Sequence, residues 1–278
     1  MLAGYFGIVL NFINPILIIY SYHMKKIITN TLVLLFSFLL INIAFPAASQ
    51  KLPKVQNTIM RAPANVKIDG NATDWGNKFL AFNTNNRIYY TMANDDENLY
   101  LVLRTNDGSA NEKAIFGITF TINMSGEKAK NSKQNIGVTY PTVMEVKKSD
   151  VIRNTITKIK SLSSQTTNAA TEKKDSLRLF ANKKIDEFFK EIQLSGISAI
   201  NTPLISIYNT NGIKVGARLD NDYHYIYELA IPLKYLGTAI NNGQKFSYNI
   251  KMNGLPEKSP GSPFAPPMIR PDKESIKL

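Results

Sequence analysis

Arg104 and Glu228 are charged side chains set among apolar neighbours, in "LYLVLRT" and "YIYELAI". A guanidinium is a planar fork that donates to two oxygens at once. Aromatic residues could complete a recognition surface. Trp75, the only tryptophan, would offer a flat apolar face to a sugar ring, and Tyr100 and Tyr140 are the candidates for further exposed rings. Each residue also has a structural reading. Arg104 and Glu228 can face solvent or pair across a sheet. Trp75, in "IDGNATDWGN" (Ile68 to Asn77), reads first as a partly buried ring beside a turn, its indole N–H bonded to backbone. Tyr223, Tyr225 and Tyr227 share a strand face that Leu229 and Ile231 continue, which points into a core.

Other chemistries find less material. "NDDEN" (94–98) and "DND" (220–222) gather oxygen ligands, but neither matches a defined calcium loop. Haem needs axial ligands such as His or Met. His224 with Met92, Met124 or Met144 could serve, yet no spacing singles them out. No metal or cofactor is therefore expected, calcium and haem being unsupported. The chain has no cysteine and two histidines, of which His23 lies in a leader. Disulfides, thiol catalysis and a Ser-His-Asp order fall away, no phosphate-binding glycine loop occurs, and the chain is not expected to be an enzyme. The net charge of +12 includes the lysine pairs 147–148, 173–174 and 183–184, which have little aromatic interleaving. That pattern suits a solvated surface, acidic glycans or an anionic envelope better than nucleic acid, which is not expected as a partner.

The elements that must hold these residues are mostly short strands. "RIYYTMANDDENLYLVLRTND" reads as a hairpin with Leu99, Leu101 and Leu103 on one face and Tyr100, Val102 and Arg104 on the other. "NVKIDG", "AIFGITFTINMSG", "QNIGVTYPTVMEV" (a pair broken at Pro141) and "KFSYNIKMNG" supply further strands. Asn211-Gly212 reads as a two-residue hairpin turn, and Asp220 to Asp222 as another turn. Between Ser149 and Ser195, "SLRLFANKKIDEFFKEIQL" carries Leu177, Phe180, Lys184 or Ile185, Phe188 and Ile192 at helical spacing, with Ser195-Gly196 as its stop. The expected fold is an antiparallel β-sandwich, all-β with jelly-roll or immunoglobulin-like layers, interrupted by one amphipathic α-helix over about residues 165–195.

Residues 1–49 read as a leader. Lys25 and Lys26, an apolar run and the small residues Ala47 and Ser49 form a signal peptide over 24–49, with 1–23 an upstream extension of the reading frame. The alternative is an uncleaved anchor, with membrane helices over 5–20 and 27–45. Cleavage before Gln50 would leave an exported chain, periplasmic or at the cell surface, with no stable membrane insertion. Residues 50–63 read as a linker, 64–254 as the folded domain and 255–278 as a Pro-rich tail.

The order of "VKIDGNATDWGN", "MANDDENLYLVLRTND", "YIYELAIPLKYLG" and "FSYNIKMN" resembles the DOMON-like superfamily, and within it the family 9 carbohydrate-binding modules. The resemblance covers about residues 64–254. It implies a β-sandwich that binds something, sugars or haem being the superfamily's cargo. It also implies that Arg104, on the strand after the "LY" hairpin, can bond sugar hydroxyls. The sugar-binding members clamp a glycan end between two exposed tryptophans, whereas this chain has one. "NEKAIFGITF" stands where acids would be expected, with Lys113 and Ala114 in the neighbourhood, and the last strand ends in Asn253-Gly254. The expected function is an exported, non-catalytic binding module, of carbohydrate type. The alternative is an envelope structural or protein-interaction module using the same sandwich without a sugar site.

Overall fold

The computed structural model describes residues 19–33, 51–125, 135–142, 146–237 and 245–254. The apolar run beyond residue 33, Met144 and the Pro-rich tail lie outside them. The chain divides into two compact units, Met1–Lys51 and Leu52–Leu278. In the first, residues 19–33 form a helix with exposed side chains. Among the described residues no helix is long and apolar enough to cross a membrane. Among the described residues the second unit holds every strand and both apolar clusters, so it has the means to fold by itself.

Two mostly antiparallel sheets build this unit. The larger runs β1 (Met60–Arg61), β3 (Ile88–Asn94), β4 (Asn98–Thr105), β10 (Tyr225–Pro232) and β9 (Lys214–Leu219), with β2 (Ala81–Asn83) also on β3. Among the described residues only β1 pairs parallel. The smaller runs β11 (Ser247–Met252), β5 (Ile118–Asn123), β6 (Asn135–Tyr140), β7 (Glu191–Ser195) and β8 (Leu204–Ser206). Leu99, Leu101 and Leu103 join Phe120, Ile122 and Val138 in one cluster between the sheets. That is the inward alternation the sequence predicts.

The fold is β-rich but not all-β. Where one helix is expected there are two, α2 (Val146–Ser161) and α3 (Asn168–Phe188), and a short α1 (Gly108–Ala114) takes up part of "NEKAIFGITF". The predicted helix runs past Phe188, but Ile192 is a core residue of β7, where the sheet's hydrogen bonds override helical spacing. Among the described residues "QNIGVTYPTVMEV" yields one strand, β6, and its last residue, Val146, already belongs to α2. "NVKIDG" is not a strand. Asn211-Gly212 does not close a two-residue hairpin: β8 pairs with β7 and β9 with β10, so the chain crosses between sheets there.

Two side-chain amides close sheet edges that would otherwise leave backbone groups bare. Gln56, in the stretch read as a linker, accepts from Met92 N–H at 2.7 Å and donates to Met92 C=O at 2.7 Å. Asn182 of α3 does the same for Leu219 on β9, at 2.8 and 3.0 Å. Helix α3 thus acts as the cover of an edge strand.

Tyr225 and Tyr227 lie in the core, as the strand reading predicts, and neither hydroxyl has a protein partner among the described residues. A buried hydroxyl without a bond is costly, and removing the oxygen avoids that cost. Tyr227→Phe is therefore expected to keep or raise stability, by about 1 kcal/mol, in a urea unfolding series. A loss of that size would show that the hydroxyl is satisfied.

Candidate functional site

The centre of the larger sheet's outer face is not open to solvent. Ala72, Trp75, Ala93, Tyr100, Val102, Ile226 and Ala230 form a second apolar cluster, bordered by Met60, Val66, Ile68 and Phe79. The segment that precedes β2 covers this face. Central strands β4 and β10 are therefore buried on both sides, which places Tyr100 and Glu228 inside although they alternate with core leucines.

Glu228 is fully buried. One carboxylate oxygen accepts the indole N–H of Trp75 at 2.7 Å. The other accepts the backbone N–H groups of Asp69, Gly70 and Asn71 at 3.0, 2.7 and 3.2 Å. The turn must lie almost on the sheet to reach it. Glu228 stands opposite Gly216 on β9, and a Cβ on Gly216 would come within 2.5 Å of Gly70 N. Gly70 itself has φ +82°, and a Cβ there would sit 2.7 Å from the Ala217 backbone. Two glycines make the close approach possible. Trp75, at the end of a short 3-10 turn (Ala72–Trp75), packs edge-on against Tyr100 at 5.7 Å.

The structure thus places the predicted site residues as follows. Trp75 is buried, and its N–H goes to Glu228 rather than to backbone. Tyr100 is buried and donates to Asp95 at 2.6 Å; burial and that bond push its hydroxyl up to about 12. Tyr140, also buried, is in the core between the sheets and donates to Phe189 C=O at 3.2 Å. Neither tyrosine is the exposed ring expected of it, because both strand faces are covered. Arg104 and Glu228 do not pair. Arg104 donates to Asp220 and Asp222, each at 2.8 Å, which ties it to the β9–β10 turn. These residues form internal bonds and present no common open surface.

The oxygen-rich loops are likewise occupied. Asp95 accepts the amides of Glu97 and Asn98, Asp96 pairs with Arg61, and Asp220 accepts the amides of Asp222 and His224. Among the described residues no three His, Cys, Asp or Glu side chains are grouped to hold a metal. Met92 is a core residue held by Gln56, while His224 sits in the β9–β10 turn.

An open cleft of about 680 Å3 lies elsewhere, where the β3–β4 turn, the 207–213 crossover and the end of β10 meet. Glu97, Asn98, Asn211, Lys214 and Lys234 line it. Its walls are tied together: Leu233 N–H donates to Glu97 C=O at 2.7 Å and Tyr235 to Asn211 C=O at 3.0 Å. Among the described residues Glu97, Lys214 and Lys234 have no ion pair. Sequence reading takes the two turns as separate hairpin loops. Only the Pro232–Asn98 register of β10 on β4 brings them to one place. Comparison with known protein families, curated proteins and solved structures finds no match.

Burial raises the Glu228 carboxyl from its ordinary value near 4.5 to about 7, against the pull of its N–H donors, the Trp75 indole first among them. Since the folded value lies above the unfolded one, its stabilisation is complete below pH 4.5 and is lost as pH rises through 7. Unfolding midpoints in urea should fall from about pH 5 to about pH 8 by a component that Glu228→Gln lacks. Glu228→Gln turns an N–H pair toward N–H donors and should cost about 2–4 kcal/mol at neutral pH.

Proposed function

We propose that this chain is an exported, non-catalytic binding module that takes a polar ligand of the saccharide class in the cleft beside Glu97, Lys214 and Lys234. The observation that carries the reading is the cleft itself. Its volume falls within the usual range of small-ligand sites. Its carboxylate, amides and ammonium groups supply both acceptors and donors for hydroxyls. The cross-bonds between its walls mean that little ordering accompanies binding. The two sheets over a shared core support a sandwich of the DOMON-like type. So does the bond between the "IDGNATDW" turn and the "YELAIP" strand, which ties two of the four resembling motifs together.

A second reading is an envelope interaction module on the same fold without a sugar site. The burial of Trp75, Tyr100, Tyr140 and Glu228 favours it, because the aromatic clamp of the sugar-binding members has no counterpart on that face.

A glycan array followed by calorimetry separates the two. Retention of a saccharide that Glu97→Ala and Lys214→Ala each weaken about tenfold, while Arg104→Ala leaves it unchanged, supports the cleft. An empty array, with an envelope protein co-purifying, would move the assignment to the second reading.

A further inference from the structure

β6 and β7 are hydrogen-bonded antiparallel neighbours, with Val138 opposite Leu194. A short turn would join such a pair, yet residues 141–190 intervene and carry both long helices. Part of this excursion serves the fold: Ile152, Ile156, Ile159, Ala181 and Ile185 enter the core, and Asn182 closes the β9 edge. The opposite side of α3 has no such duty. Leu179 is 60% and Phe180 43% exposed, and Val151 on α2 is also exposed.

On α3, Lys183 follows Leu179 by four residues and Phe180 by three, the spacing of neighbours on a helix surface. Lys184 lies over the rings of Phe180 and Phe188, and Lys148 reaches from α2 to the Phe188 ring. Between Val146 and Phe188 the chain has ten basic and five acidic residues, a net +5. Four of the acids are already paired: Asp150 with Arg153, Asp175 with Arg178, Asp186 with Arg218 and Glu187 with Lys184. Lys148, Lys158, Lys173 and Lys183 have no carboxylate in ion-pair range among the described residues. An exposed leucine and phenylalanine with the unpaired Lys183 beside them, on a hairpin of net positive charge, match a bilayer surface, with apolar groups at the acyl boundary and ammonium groups at the phosphates.

We propose that the α2–α3 hairpin docks the folded unit reversibly onto a membrane surface rich in anionic lipid, through Leu179, Phe180 and the unpaired lysines. The charge complementarity selects anionic headgroups, and the exposed side chains distinguish this from binding by charge alone. This docking is peripheral and independent of the cleft.

The test uses the unit Leu52–Leu278, so that the leader cannot itself partition into lipid. It is sedimented with phosphatidylglycerol-containing vesicles and with vesicles of phosphatidylcholine alone. Binding to the anionic vesicles only, weakened by salt, is expected. Lys148→Gln and Lys183→Gln should each weaken it about fivefold. The pair Leu179→Ser and Phe180→Ser should weaken it about tenfold or more, with an unchanged unfolding midpoint. If the double variant is unstable, Leu179→Ser alone, at the more exposed position, gives the same reading. Equal binding to both vesicle types, no vesicle binding, retention on an acidic polysaccharide instead, or serine variants that bind as the unaltered unit does would each overturn the proposal.

Discussion

One buried carboxylate organises the outer half of this molecule. Glu228, fully buried, gathers the Trp75 indole and three consecutive backbone N–H groups onto two oxygens. A charge so placed is tolerable only if its lone pairs are filled, and the 69–71 turn is useful only because it fills them. The bond holds the segment before β2 against the larger sheet. That segment in turn buries Tyr100, Val102 and Ile226. Without it the central strands would show an apolar face to solvent.

The same economy of donors and acceptors governs the edges. Gln56 and Asn182 each present an amide to one strand residue and so imitate a neighbouring strand without extending the sheet. Tyr90 and Tyr248 meet hydroxyl to hydroxyl at 2.9 Å, one from each sheet, and both hold Gln56 N–H. The stretch before β1 is therefore part of the closure between the sheets. The helical excursion combines two roles, with Asn182 and Ile185 turned to the sheet and Phe180 and its lysines turned away.

Where sequence reading succeeds, the physics is local. Alternation in "NLYLVLRT" and "YIYELAIP" places the core leucines and tyrosines correctly, because a strand has only two faces. It cannot say that the second face is also covered, which is why Tyr100 reads as exposed. The apolar spacing from Leu177 to Ile192 is helical as far as Phe188, but a strand partner claims Ile192. The lone Trp75 reads correctly as a structural ring beside a turn. Its partner is missed because Glu228 lies 153 residues away.

The sequence by itself determined the strand-rich core, the β3–β4 hairpin, a helical excursion before β7 and the absence of thiol chemistry, since periodicity, turn chemistry and composition are properties of neighbouring residues. The tertiary structure alone decided that Arg104 belongs to the Asp220–Asp222 turn, that Glu228 and Trp75 bind each other, and that Glu97, Lys214 and Lys234 share a cleft. Those outcomes depend on sheet register and on which segment covers which face. Both are set by long-range packing and hydrogen bonding, which no local pattern encodes.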